Sequence, residues 1–221
     1  MSDISKRMGR LALLGGVLCL DFTNTAGWRG EPATDRLLRD YEDLIAWTQH
    51  VEALDARQGK ELLRRAVARP DRAKAVHRQA ISLREALYRA FSSLAGGRAA
   101  EAADLAAIND AVADAYRHLR LVPHGDGFAW DWHEAEGALE LPIWIVARSA
   151  ADLLVSPDVE RVRECAGERC DWLFLDASRN RSRRWCDMAE CGNRAKAQRN
   201  YARRRASAMT QGAAEGKGRK T

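Results

Sequence analysis

Four of the five cysteines, Cys165, Cys170, Cys186 and Cys191, form two C-x4-C pairs separated by fifteen residues. Folded over one another, the pairs offer four sulfurs to a single point. Zn2+ takes thiolates tetrahedrally at about 2.3 Å, and two cysteine pairs joined by a short linker are a common way to build that shell. Four thiolates leave no open position for water, so the expected ion is structural rather than catalytic. No Ser-His-Asp set, phosphate-binding glycine loop or H-E-x-x-H pattern accompanies it, and no enzymatic activity is expected.

The elements that must position these sulfurs are short. CAGERC supplies a tight turn at Gly167, WLFLD reads as a strand carrying Trp172 and Phe174, and SRNRSRR is a basic turn. A helix is expected to open at Cys191 and run through GNRAKAQRNYARRR, its amide-rich end offsetting thiolate charge. Knuckle, hairpin and helix in this order resemble a treble clef. Charge is concentrated in the same region: residues 161–221 hold sixteen Lys/Arg against seven Asp/Glu, a balance of +9, whereas the whole chain is only +5. Arg179, Arg181 and Arg183 in the turn, with Lys196, Arg199, Arg203 and Arg204 on the helix, are candidate contacts to nucleic-acid phosphates and guanine edges. Arg184 and Arg194, beside ligand cysteines, are assigned instead to hydrogen bonds that neutralise the zinc-bound sulfurs.

Upstream, residues 1–156 read as a mainly helical domain with a small β element, 157–210 as the zinc module, and 211–221 as a disordered basic tail. At 221 residues, 46% of them apolar, the chain is long enough for one sizeable core plus a small appended module. Leu11–Thr25 is expected to form a buried strand, with Cys19 inside it as a small core residue. At its end Asp21, Asn24 and Thr25 either cap the following turn or, with Trp28, line a pocket for a small-molecule effector. Thr34 or Asp35 is expected to cap a helix reaching about Leu54. Three more helices follow: from Asp55 to before Pro70, from Asp71 to Gly96-Gly97, and from about Glu101. Two short apolar runs flanking His124-Gly125-Asp126-Gly127 predict a hairpin that could pair with the first strand. A last helix, from Leu141-Pro142 to Val155, hands the chain to the zinc module. His50, His77 and His118 lack a second ligand type at metal spacing and are expected at surfaces or interfaces.

Lys6, Arg7 and Arg10 before the apolar run Leu11–Leu20 imitate a signal peptide. Gly15-Gly16 interrupts the run, Asp21 follows at once and no small-x-small cleavage site is present. No stretch approaches the ~20 apolar residues of a membrane span. Five cysteines, four of them at metal spacing, argue against a disulfide framework. A reduced, cytoplasmic protein is expected.

The stretch FLDASRNRSRRWCDMAECGNRAKAQRNYARRR resembles the CGNR zinc finger, whose name is spelled by Cys191-Gly192-Asn193-Arg194 and whose ligand pattern the four cysteines match. LGGVLCLDFTNT, YEDLIAW and LPIWIVARSAADLL resemble the ABATE domain commonly joined to that finger. The resemblance implies a stress-related bacterial transcription regulator, with DNA as partner, one structural Zn2+, and no ligand assigned to the upstream domain. The alternatives are a zinc-stabilised protein-interaction module and a small-molecule sensor that does not touch DNA. DNA sequence, effector and oligomeric state are not legible in the chain.

Overall fold

The computed structural model describes residues 4, 8–9, 11–26, 28–29, 37–133 and 137–217, with side chains given as far as 205. The expected caps at Thr34 and Asp35 lie outside the described residues.

The first element corrects the sequence reading. Leu18–Thr23 is a helix, α1, preceded by bends rather than by a strand. Val17 through Phe22 are all apolar except Asp21, and such a run has no period to separate strand from buried helix. Burial on every side is what the run encodes: Cys19, Leu20, Phe22 and Thr23 are essentially inaccessible. The Thr23 and Thr25 hydroxyls donate back to the carbonyls of Leu20 and Phe22 and so close the helix without water.

Helix α2 spans Tyr41–His50, later than expected, because Asp40 accepts from the Asp43 amide and sets the start. Helix α3, Ala56–Ala68, opens on a capping box between Asp55 and Gln58. Helix α4, Pro70–Ala95, has proline at its first position and stops at Gly96-Gly97, Gly97 taking a φ of 71° that disfavours other residues. Helix α5 is Ala102–Arg117.

Strands β1, Leu119–His124, and β2, Gly127–Trp132, form the expected hairpin around a two-residue turn at Gly125-Asp126. It is a two-stranded sheet by itself, since the N-terminal segment that was to pair with it is not a strand. Its apolar face shows Leu121, Phe128 and Trp130 to solvent, while Trp132 stacks on Trp144. Helix α6, Leu141–Leu154, follows. The core gathers α1, α2, α4 and α6 around Phe22, Trp47 and Phe91, with the Phe22 and Trp47 rings 4.9 Å apart. His118 stacks on Trp144, His77 meets the Leu38 carbonyl and His50 the Leu11 carbonyl, so all three histidines serve packing contacts.

A 3-10 turn, Pro157–Arg161, leads to β3, Val162–Glu164, which pairs antiparallel with β4, Leu173–Leu175. A single π-turn, Met188–Gly192, opens helix α7, Asn193–Lys217. Residues 211–217, expected as part of a disordered tail, continue this helix. The fold is thus mainly helical with two small antiparallel sheets and a treble-clef-like zinc module.

The sequence division at 156/157 is not a division in packing. Val162 and Leu173 are fully buried in the same apolar core as the helices. The Asn24 carboxamide spans the two parts, donating to the Leu173 carbonyl and accepting from the Leu173 amide, both at 2.8 Å. One residue pair along, the Leu175 amide donates to the Gly15 carbonyl at 2.8 Å. On the other side the Arg29 amide donates to Asp171 at 2.7 Å, and its guanidinium lies 3.6 Å over the Tyr88 ring while bonding Glu85. Ser92 of α4 donates to Glu164 of β3.

Candidate metal centre and basic surface

The two cysteine pairs are brought together by backbone bonds that short polar turns can make. The Cys170 amide closes the first knuckle on the Gly167 carbonyl at 3.1 Å, and the Cys165 amide extends the β3–β4 ladder to the Trp172 carbonyl at 2.9 Å. The Ala166 amide reaches the Arg184 carbonyl at 2.8 Å, tying the first knuckle to the approach of the second. Asp187 caps the π-turn by accepting from Ala189, which delivers Cys191 to the start of α7.

All four Sγ atoms lie within 4.8 Å of one another, and Cys186 is 3.7 Å from both Cys170 and Cys191. A zinc tetrahedron with bonds of about 2.3 Å has sulfur-to-sulfur edges of about 3.8 Å, so the residues fit the ion. Gly167 is part of that fit: a Cβ there would sit 3.2 Å from both Cβ and Sγ of Cys191 and 3.3 Å from Cys170 Cβ. Three of the cysteines are buried, and Cys170 is half-buried.

The thiols themselves call for a cation. Hydrogen bonds from the Cys170 and Cys186 thiols hold Cys165 well below the ordinary thiol range. The same contacts push Cys170 and Cys186 up, because each is the donor to a neighbouring thiolate. Burial pushes Cys191 up as well. The Cys186 amide donates to Cys165 Sγ at 3.3 Å, and the α7 N-terminus adds its dipole at Cys191. Cys19, by contrast, is raised to about 12 by burial and takes no part.

The arginines of the module differ in what they touch. Arg183, expected on nucleic acid, is bound to its own module: Nε donates to the Trp185 carbonyl at 2.9 Å, an Nη donates to the Cys186 carbonyl, and the guanidinium lies 4.6 Å over Phe174. Arg184 stacks 5.4 Å over Trp185, and Arg194 lines a cleft with Trp28, Cys170 and Glu190. No hydrogen bond among the described residues joins either to a cysteine sulfur. The signal that Arg183 and not Arg184 braces the zinc knuckle lies in the loop conformation, where Asp176 accepts from the Ser178 and Arg183 amides and sets the still exposed Arg183 side chain against the Trp185 and Cys186 carbonyls. Arg179, Arg181, Lys196, Arg199, Arg203 and Arg204 are exposed. Arg181 reaches Glu160 only at 3.9 Å, and Arg199 bonds its own helix at the Ala195 carbonyl.

Asp21 and Asn24, two of the candidate effector-binding residues, are engaged by the protein itself. Asp21 accepts from the Gly15 amide at 2.7 Å, and burial pushes its carboxyl up. Asn24 is 1% exposed with both ends of its amide on Leu173. Trp28 lies elsewhere, under the Arg169 guanidinium at 5.6 Å. Asp21 and Asn24 act as struts, placed by bonds that sequence spacing cannot reveal.

A helical domain into whose core a four-thiolate zinc module is built defines the class of protein. Residues 16–157 match the ABATE family model, described as "Putative stress-induced transcription regulator", and the chain belongs to that family. Residues 161–204 match the CGNR zinc finger. No curated protein matches the chain. Among the described residues, no helix is long and apolar enough to cross a membrane.

Proposed function

We propose that this protein is a DNA-binding transcription regulator in which zinc shapes the binding surface and takes no part in chemistry. The observation that carries the reading is the +9 balance of residues 161–221, together with the exposed cations on the 178–184 turn and on α7 among the described side chains. Helix α7 is too polar and too little packed to be explained as a core element. A surface of this kind attracts a polyanion over long range. The family description supports a regulator, and four sulfur ligands leave the metal no vacant position for a substrate or water.

Binding through phosphates must be salt-dependent. If about six cations each neutralise one phosphate, log K against log salt falls with a slope of about −5. Fluorescence anisotropy of the full-length zinc protein with labelled duplex DNA, over 50–200 mM KCl, measures this directly. Affinity that is absent, or indifferent to salt, would sink the proposal.

A further inference from the structure

Resting on the DNA-binding reading, we infer that Asn200 and Arg204 of α7 read base edges in the major groove of duplex DNA, between two rows of phosphate-binding cations.

The placement follows from the helix itself. At 100° per residue, and with Arg194 set at zero, Ala195, Gln198 and Ala202 point within about 40–100°. This side turns toward the zinc module: Gln198 bonds Glu168 of the first knuckle, and Ala195 is half-buried. The opposite side, about 240–300°, carries Asn193, Ala197, Asn200 and Arg204, every one exposed. Its two borders are basic. Lys196, Arg199 and Arg203 fall at about 140–200°, and Arg194 with Arg205 at about 0–20°.

A helix lying against one strand needs cations on one side only. One seated in the major groove lies between two backbones and gains from cations on both. The groove, about 12 Å wide, admits a helix of about 10–12 Å diameter. The deep, narrow major groove of A-form RNA does not, so the arrangement favours duplex DNA. The floor-facing residues then have suitable chemistry. Arginine pairs with guanine O6 and N7, and asparagine with adenine N6 and N7, in bidentate fashion. Arg203 donates to Asn200 Oδ1 at 3.1 Å, which leaves the oxygen a second lone pair and both amide N–H groups for a base edge. Ala197, on the same side one turn earlier, lets the helix approach closely. Asn200 and Arg204 are one turn apart, about 6 Å, so the adenine and guanine they read are about two base-pair steps apart. Asn193 stands outside this pair because its amide donates to the Ala189 carbonyl.

The test is selection of bound sequences from random duplex DNA by full-length wild-type protein, N200A, R204A and K196A. Wild type should enrich a motif with an A·T and a G·C pair about two steps apart. N200A should lose preference at the first and R204A at the second, each by about 5- to 150-fold. K196A should keep the motif, bind every sequence more weakly, and lower the salt slope by about one. The three sites are exposed, and circular dichroism and zinc content should match wild type. Salt-dependent binding without a motif, or one motif shared by wild type, N200A and R204A, would overturn the base-reading assignment while leaving a DNA-binding protein. No salt-dependent binding by wild type would remove the function on which it rests.

Discussion

Replacing Asn24 by alanine should do more damage than the loss of any one exposed arginine. Its side chain donates to and accepts from the same residue, Leu173, at 2.8 Å in both directions, and Asn24 and Leu173 are 1% and 0% exposed. Alanine leaves a buried N–H and a buried C=O unpaired. Each unsatisfied group costs about 1–3 kcal/mol, so the variant should lose about 2–6 kcal/mol, a large share of the roughly 5–15 kcal/mol of a typical domain. For a chain of this size that corresponds to a fall in Tm of about 5–15 °C. Asn24→Asp keeps an acceptor for the Leu173 amide but sets a carboxylate against the Leu173 carbonyl, and should fare no better. Scanning calorimetry of zinc-loaded wild type and both variants measures the effect. A shift below about 2 °C for Asn24→Ala would show that water or a neighbouring group satisfies Leu173, and that Asn24 is not the strut described.

Gly167→Ala should loosen the metal, because the new Cβ would press on Cys170 and Cys191 at 3.2–3.3 Å; faster zinc transfer to a colorimetric chelator is the expected result, and an unchanged rate would refute it. Arg183→Ala should lower thermal stability by about 1–3 kcal/mol through the loss of bonds to the Trp185 and Cys186 carbonyls. Arg179→Ala should leave stability within about 0.5 kcal/mol of wild type, and equal melting of the two variants would erase the distinction drawn between them. At Asp176, burial opposes the charge, but the Ser178 side chain, followed by the Ser178 and Arg183 amides, outweighs it and holds the carboxyl below its ordinary range. The stabilisation is therefore complete above the unfolded value of about 3.9 and is lost as pH falls through the lower folded value. Asp176→Asn should flatten the acid limb of a stability-versus-pH curve; an unaltered limb would place the acid sensitivity elsewhere.

What could be read in the chain was what local chemistry determines. Cysteine spacing gave the metal ligands, Asp55 gave the start of α3, and Gly96-Gly97 gave the end of α4. The hairpin was legible because apolar residues flank a glycine-containing turn. Leu18–Thr23 was misread because a segment buried on all sides carries no polar face to reveal its period. Asp21 and Asn24 looked like ligand-binding groups for a related reason. A buried polar side chain must find partners, and the partner of Asn24 is 149 positions away, beyond any reading of neighbours. Arg183 was indistinguishable in type from Arg181 and Arg184, and only the fold of the loop separates them.

The bonds from Gly15, Asn24 and Arg29 into the zinc module bear on how it can be handled. A module joined by a slack tether can be excised and transplanted as a cassette. This one cannot: cut away near residue 161, it would carry off β3 and β4 with Val162 and Leu173 stripped of the apolar surface that covers them. A chimera that keeps its fold must bring along α1 and the face of α4 against which those strands lie.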